Sequence, residues 1–264
     1  RSWSWTQNFF NWIFGLTPNI FNPYRYASAS IDDTGLKCYW KFNESSGDVI
    51  NQSESSVDLG SSADIQITNG DYEDNGSPLG NGMAFNGSDA FGVAGTSVSQ
   101  FNFLHQETTE WTICFWAKLT KAEDKFIMTT AEGSTDIGIK LGMNATSFRI
   151  YTLNGADQTV MTFSGSSGFI PDSSGWYFYV FRYDTTEEQQ FKALRDNANL
   201  EESSNTVNSA TNNNATYPMY FARRPNPAIG YTVMAIAEVS VWDRILTDAQ
   251  MTALFNGGSG QAIY

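Results

Sequence analysis

Residues 36–42 read LKCYWKF, that is Leu36-Lys37-Cys38-Tyr39-Trp40-Lys41-Phe42. The run is aromatic and alternating, the pattern of a half-buried strand. Working outward from it, the chain repeats this kind of segment many times. Residues 110–119 (EWTICFWAKL) and 175–184 (GWYFYVFRYD) are the strongest. Between them lie 125–131 (KFIMTTA), 136–142 (DIGIKLG), 147–153 (SFRIYTL) and 158–163 (QTVMTF). Asn154-Gly155, between the last two, is a two-residue hairpin signal. Residues 82–94 (GMAFNGSDAFGVA) read as a strand, an Asn86-Gly87 turn and a strand, and 189–196 (QQFKALRD) pairs plausibly with 175–184. Shorter candidates are Val57–Leu59, Asp64–Thr68 and Pro218–Ala222, with a longer one at Tyr231–Trp242, while the Asn/Ser/Thr-rich stretch 199–216 reads as a loop. One short helix closes the chain. Thr247 with Gln250 three residues on forms a capping box, Met251, Leu254 and Phe255 give an apolar face, and Gly257 supplies a left-handed stop. Many short strands with turn signals and almost no helix predict a sandwich or barrel.

The bulk composition fits. A chain of 264 residues suits one large β domain plus an extension, or two small domains, and 41% hydrophobic with 15% aromatic residues can fill a sizeable core. The net charge of −13 argues against wrapping nucleic acid, which needs a basic face, and against docking on anionic lipid. No stretch reaches the roughly 18 apolar residues of a membrane span. Few charges among abundant Ser, Thr, Asn and Gly match the surface of secreted and virion β proteins. The first residue is Arg1, consistent with a processed or trimmed form. The two cysteines, Cys38 and Cys114, lie in strand-like runs and leave two readings open: two buried free thiols, or one disulfide between strands.

Residues 1–34 differ from the rest. Trp3, Trp5, Phe9, Phe10, Trp12, Phe14 and Phe21 crowd there with Tyr24 and Tyr26, and Pro18 and Pro23 break any long helix after a short one at 6–14. Rings that each bury on the order of 150–250 Å² do not stay in water. They pack on their own sandwich or, as an assembly arm preceding the domain, on a neighbouring subunit.

In their order, the segments from Gly35 onward resemble the laminin-G-like jelly-roll family of concanavalin-A-like type. The matching pieces begin with Gly35-Leu36-Lys37-Cys38-Tyr39-Trp40-Lys41-Phe42 and the acidic turn Glu44-Ser45-Ser46-Gly47. Next come Phe85-Asn86-Gly87-Ser88-Asp89, the Trp111–Trp116 strand and the Gly175–Phe178 strand. The closing piece is Glu238-Val239-Ser240-Val241-Trp242-Asp243-Arg244-Ile245-Leu246-Thr247, followed by Ala253-Leu254-Phe255-Asn256-Gly257-Gly258. The resemblance implies an all-β, two-sheet antiparallel sandwich over 35–264, with a short C-terminal helix and the aromatic arm of 1–34 ahead of it. Such domains bind glycans, mediate adhesion or build particles, at cell surfaces and in virions. The family's closing strand usually reads Ile-Asp-Glu-Val. Here it is Ile236-Ala237-Glu238-Val239, which weakens any calcium site carried over from relatives.

The chemistry points away from catalysis. Glycoside hydrolases of this superfamily need paired carboxylates on one strand face, and Glu238 with Asp243, at odd spacing, falls on opposite faces. His105 reads as an ordinary loop histidine with no nucleophile elbow nearby. Calcium is the one candidate cofactor. Asp71, Glu73 and Asn75 alternate before Gly76 as in the first half of an EF-hand loop, although the twelfth position is Gly82, and Asp89 is a second candidate by the resemblance. Tyr72, Tyr151, Tyr217 and Tyr231 lie near loops or strand ends, where rings could stack on sugars, whereas Trp40, Trp111, Trp116, Trp176 and Trp242 fill the core. No single glycan platform stands out. Arg223-Arg224 reads as a solvated loop pair able to contact acidic groups, and Asn43, Asn51, Asn86, Asn144 and Asn214 open Asn-x-Ser/Thr motifs.

Three functional readings follow. The first is a non-enzymatic structural or display subunit of an extracellular assembly (a virion fibre or decoration, or a cell-surface filament), with the arm docking on copies of itself or on other subunits. The second is a carbohydrate-binding or adhesion module meeting cell-surface glycans. The third, a glycoside hydrolase, lacks its carboxylate pattern.

Overall fold

The computed structural model describes residues 31–72, 76–106, 109–120, 122–163, 175–188, 190–196, 199–203, 210–225 and 230–264. The arm residues Trp3, Trp5, Phe9, Phe10, Trp12, Phe14 and Phe21, and the calcium candidates Glu73 and Asn75, lie outside them.

Fourteen described strands form two antiparallel sheets. They are β1 (Leu36–Trp40), β2 (Ile65–Thr68), β3 (Met83–Asn86), β4 (Phe91–Ala94), β5 (Trp111–Leu119), β6 (Lys125–Thr129), β7 (Ile137–Met143), β8 (Phe148–Asn154), β9 (Gln158–Phe163), β10 (Tyr177–Tyr183), β11 (Phe191–Arg195), β12 (Asn199–Ser203), β13 (Met219–Phe221) and β14 (Val233–Trp242). The first sheet runs β1-β14-β5-β10-β11-β12, with β3 also pairing β14; the second runs β2-β4-β13-β6-β7-β8-β9. Their inner faces share one core. Trp40 meets Phe221 edge-on at 5.6 Å, and Phe181 meets Phe148 at 5.5 Å and Phe163 at 6.1 Å, each pair spanning the two sheets.

The 82–94 segment is not one hairpin. β3 pairs with β14 and β4 with β2 and β13, so the Asn86-Gly87 turn carries the chain from one sheet to the other. Gly87 turns at φ +76°, and a Cβ there would stand 2.4 Å from Val233 Cγ2. The β8–β9 hairpin forms, but Leu153 pairs with Gln158, which leaves four residues in the loop rather than two. Asn154 Oδ1 holds that loop by accepting from the N–H groups of Ala156 (3.0 Å) and Asp157 (2.8 Å). Val57–Leu59 is not a strand and leads into a 3₁₀ turn at Gly60–Ala63.

Cys38 and Cys114 are both free, which corrects the disulfide alternative. Cys38 sits opposite Val241, and Cys114 opposite Ser240. Neighbours on β14 point to opposite faces. Cys38 therefore enters the core with Val241, while Cys114 lies beneath the outer face with Ser240. Burial raises both thiols far above their ordinary range.

β14 itself changes phase. Met234 and Ile236 face the core, and then Val239 and Val241 do. The register against β5 slips between Ala237 and Ser240, a bulge with one extra residue, and Glu238 there takes φ +54°. Its N–H donates to Lys41 O at 3.2 Å, which ties the bulge to the end of β1.

The first sheet's outer face is covered. The helix α1 (Asp248–Phe255) starts at the expected Thr247–Gln250 capping box and stops one residue earlier than expected, at Asn256, which takes φ 47°. Phe255 stacks on Trp116 (6.0 Å) and Phe178 (6.2 Å). LKCYWKF is consequently buried on both sides rather than one: Cys38, Trp40 and Phe42 inward, Tyr39 outward at only 1% exposure.

Candidate functional site

The second sheet's outer face carries no helix among the described residues; rings and cations cover it instead. At one side, Ala222 leaves β13 with a left-handed backbone (φ +64°) and turns Arg223 back over the sheet. The guanidinium lies 3.6 Å from the Phe91 ring centre, 4.9 Å from Tyr220 and 5.9 Å from Tyr231, and Nη1 donates to the Tyr231 hydroxyl at 3.4 Å. Arg224 pairs with Asp124 and, at 3.3 Å, with Glu132, while its guanidinium lies 4.9 Å from the Phe126 ring centre. The two arginines are thus stacked and paired, not a solvated loop pair.

Further across, Lys140 on β7 sits 4.5 Å above the Tyr151 ring and donates to Glu132 O at 3.2 Å. Its pKa is lowered, first by burial and then by the Arg224 charge. Cation–aromatic contacts of this kind are worth roughly 0.5–2 kcal/mol each and hold the rings in fixed poses.

A cleft of about 160 Å³ opens beside them, lined among others by Phe126, Gly142, Asn144, Arg149 and Tyr151. That is room for several waters. Gly142 lies opposite Arg149 in the ladder, and a Cβ there would stand 3.0 Å from the Phe126 ring and 2.7 Å from Lys125 O. The absence of a side chain lets the ring lie against the strand and leaves the cleft open. Asn144 terminates β7, and its Oδ1 accepts from the backbone N–H groups of Thr146 (2.9 Å) and Ser147 (2.7 Å). Two backbone donors fix which amide atom is oxygen. Arg149 reaches the Tyr151 hydroxyl through Nη1 at 3.4 Å, while its Nε is buried without an acceptor. A face of fixed rings with polar donors beside them can stack on the C–H face of a sugar and hydrogen-bond its oxygens.

The buried Glu238 offers no such opening. Its cavity holds about 10 Å³, room for at most about one water. The Tyr39 hydroxyl donates to its carboxylate and accepts from Ile263 N–H at 3.3 Å. Burial raises its pKa to about 7. Asp243 pairs with Lys37 at 2.9 Å.

A family model described as the concanavalin A-like lectin/glucanases superfamily matches residues 92–252. The chain belongs to this superfamily. No curated protein matches it in sequence. Among solved structures, the binding domain of botulinum neurotoxin DC in complex with SialylT superposes with a TM-score of 0.59 at 13% identity, over 84% of this chain and 51% of that one. The same domain in complex with rat synaptotagmin II gives 0.59 at 12%, over 86% and 52%. The binding domain of Paraclostridial Mosquitocidal Protein 1 gives 0.60 at 13%, over 85% and 52%. The chain therefore spans about half the length of these neighbours, and the likeness is one of fold.

On this jelly-roll frame the sequence candidates fall as follows. Tyr151 and Tyr231 reach the aromatic face. Tyr72 packs against the core. Asp89 accepts from Asn69 Nδ2 (3.0 Å), Asn86 Nδ2 (2.6 Å) and Ser88 Oγ (3.3 Å). Asp71 bridges Ala84 through its backbone, and among the described residues no three His, Cys, Asp or Glu side chains group as metal ligands. His105 is buried, with Nε2 3.0 Å from Asn213 O, and so anchors the Asn-rich loop rather than lying free on one. Three Asn-x-Ser/Thr motifs are structural turns: Asn51, Asn86 and Asn144 each accept from the N–H two residues on. Sequence reading missed Phe91, Phe126, Lys140 and Arg149. The available signal was the alternation of β7 and β8, which puts Lys140, Arg149 and Tyr151 on the face opposite Leu141 and Ile150.

Proposed function

We propose that this chain is a carbohydrate-binding or adhesion module acting outside the cell, with the glycan seated on the outer face of the second sheet. The cleft beside Tyr151 carries the reading: an open cleft bordered by aromatic rings on which cations lie. The superfamily's lectin character supports it, as does a structural neighbour bound to a sialylated glycan. Fold likeness does not select the glycan. The test is a glycan array run with and without calcium, comparing the chain with its Y151A variant. Binding to a defined set of glycans, lost with the Tyr151 ring, is expected. A blank array under both conditions overturns the reading.

We infer a second role from the aromatic sequence of residues 1–34, that of fastening the module to copies of itself or to other subunits of an extracellular assembly. Light scattering after size exclusion, on the full chain and on one starting at Gly35, tests it; an unchanged assembly state on truncation counts against it.

A further inference from the structure

The charged residues lining the cleft are two exposed carboxylates, Glu123 and Asp124, and two cations, Lys125 and Arg149. Of these, Arg149 points to the chemical class of a ligand. Its only hydrogen bond among the described residues is the 3.4 Å contact from Nη1 to the Tyr151 hydroxyl, and its Nε is sealed from water without an acceptor. Arg224 is paired with Asp124 and Glu132, and Arg223 lies on three rings, although the Nε of each is likewise buried without an acceptor; what sets Arg149 apart is that it makes no ion pair among the described residues. Asp124, which lines the same cleft, is committed to Arg224. Asn144 adds a second donor, because its oxygen is consumed by the backbone N–H groups of Thr146 and Ser147 and its Nδ2 has no partner among the described residues. The planar Nη1/Nη2 edge of the Arg149 fork matches the two oxygens of a carboxylate. A sugar hydroxyl offers one oxygen to such a fork; a carboxylate offers two and the missing charge.

We propose that this cleft recognises the carboxylate of an acidic sugar, with Arg149 gripping both oxygens, Asn144 donating beside it, and the Tyr151 ring supporting the sugar. The proposal rests on the glycan-binding reading above and deepens it. Heteronuclear NMR titrations of the full chain with methyl glucuronide, methyl glucoside and acetate test it. Methyl glucuronide should bind with shifts at the β7–β8 turn, and methyl glucoside on the order of ten- to a hundredfold more weakly, the usual span of a charge-assisted hydrogen bond. R149A should bring the glucuronide down to the glucoside level. R149K, which keeps charge but loses the fork, should recover only part of the loss. Y151A should weaken both sugars. Each variant's unliganded spectrum shows whether it is folded.

Three results overturn the proposal and are separable. Equal binding of glucuronide and glucoside, unmoved by R149A, leaves a neutral-glycan site and removes only the acidic preference. Acetate binding as tightly as glucuronide leaves an anion site that ignores the sugar. Neither sugar binding removes the site and, together with a blank array, the glycan-binding reading itself.

Discussion

The two outer faces of this sandwich are built from similar materials and covered in opposite ways. On the first sheet, Trp116 and Phe178 are roofed by Phe255 of α1, and the carboxylate of Glu238 beneath that face is sealed in and tied to Tyr39. On the second sheet, Phe91, Phe126, Tyr151 and Tyr220 have no helical roof among the described residues, and arginines and a lysine lie on their faces. Aromatic area covered by apolar side chains stabilises the fold. Aromatic area covered by cations keeps a polar, partly exposed surface that a ligand can still reach. The contrast predicts that substitutions on the first face register as lost stability, and those on the second as lost binding.

The sharpest break would come from Trp116→Ala. Trp116 is 3% exposed between Phe178 and Phe255, so its removal should cost about 3–5 kcal/mol. That corresponds to a drop in melting temperature on the order of 10 °C for a domain of this size. Glycan affinity per folded molecule should stay unchanged. Chemical denaturation and a binding isotherm on the same sample check both halves.

Glu238 makes the first face pH-sensitive. Its folded pKa of about 7 lies above the ordinary 4.5 because burial disfavours the charged form. A raised carboxyl pKa contributes stability that is fully present below about pH 4.5 and is lost as pH rises through about 7. Between pH 5 and 8 the protein should therefore lose on the order of 2–3 kcal/mol from this group. E238Q should flatten that slope and be the more stable form at pH 8. Parallel slopes for both proteins in urea melts across that range would show that Glu238 ionises freely.

Smaller again is the effect of Asn144→Ala. Losing the acceptor for two backbone donors in the β7–β8 turn should cost about 1–2 kcal/mol. Because the same side chain borders the cleft, binding should fall too. This residue belongs to both categories and tests whether they separate cleanly.

How much of this could be read from the sequence varies with the kind of interaction. The capping box at Thr247 and Gln250, the β10–β11 pairing and most strand runs are local, and they were legible; β12 (Asn199–Ser203) lies in the stretch read as a loop, and Val57–Leu59 is not a strand. The assignment of β3 and β4 to different sheets was not, since period-2 alternation shows that a strand has two faces and not which partner it takes. The choice between two free thiols and a Cys38–Cys114 disulfide stayed open for a related reason: the bulge at Glu238 and the register on β14, which decide the faces, are tertiary facts. Ile236 and Val239, three apart in an otherwise alternating run, were the one visible trace of that bulge. Arg223 and Arg224 looked solvated because their partners, Phe91, Asp124 and Glu132, are about ninety or more residues away in sequence. The cleft itself depends on Gly142 lying opposite Arg149, a juxtaposition only the β7–β8 register supplies.

The smallest effect on stability is the most informative about function. Arg149→Ala removes a guanidinium whose Nε is buried without an acceptor and whose one bond, to Tyr151, is long. A residue kept for packing or pairing would cost stability when removed. A cation held for a ligand is a standing cost to the unliganded fold, because its desolvation is only partly compensated. R149A should therefore be neutral, or more stable by up to about 1 kcal/mol, while binding of an acidic sugar collapses. The opposite sign, a loss of more than about 1 kcal/mol with binding intact, would place Arg149 among the structural residues of the β7–β8 hairpin, and the division between a face that folds and a face that binds would fail at the point chosen to carry it.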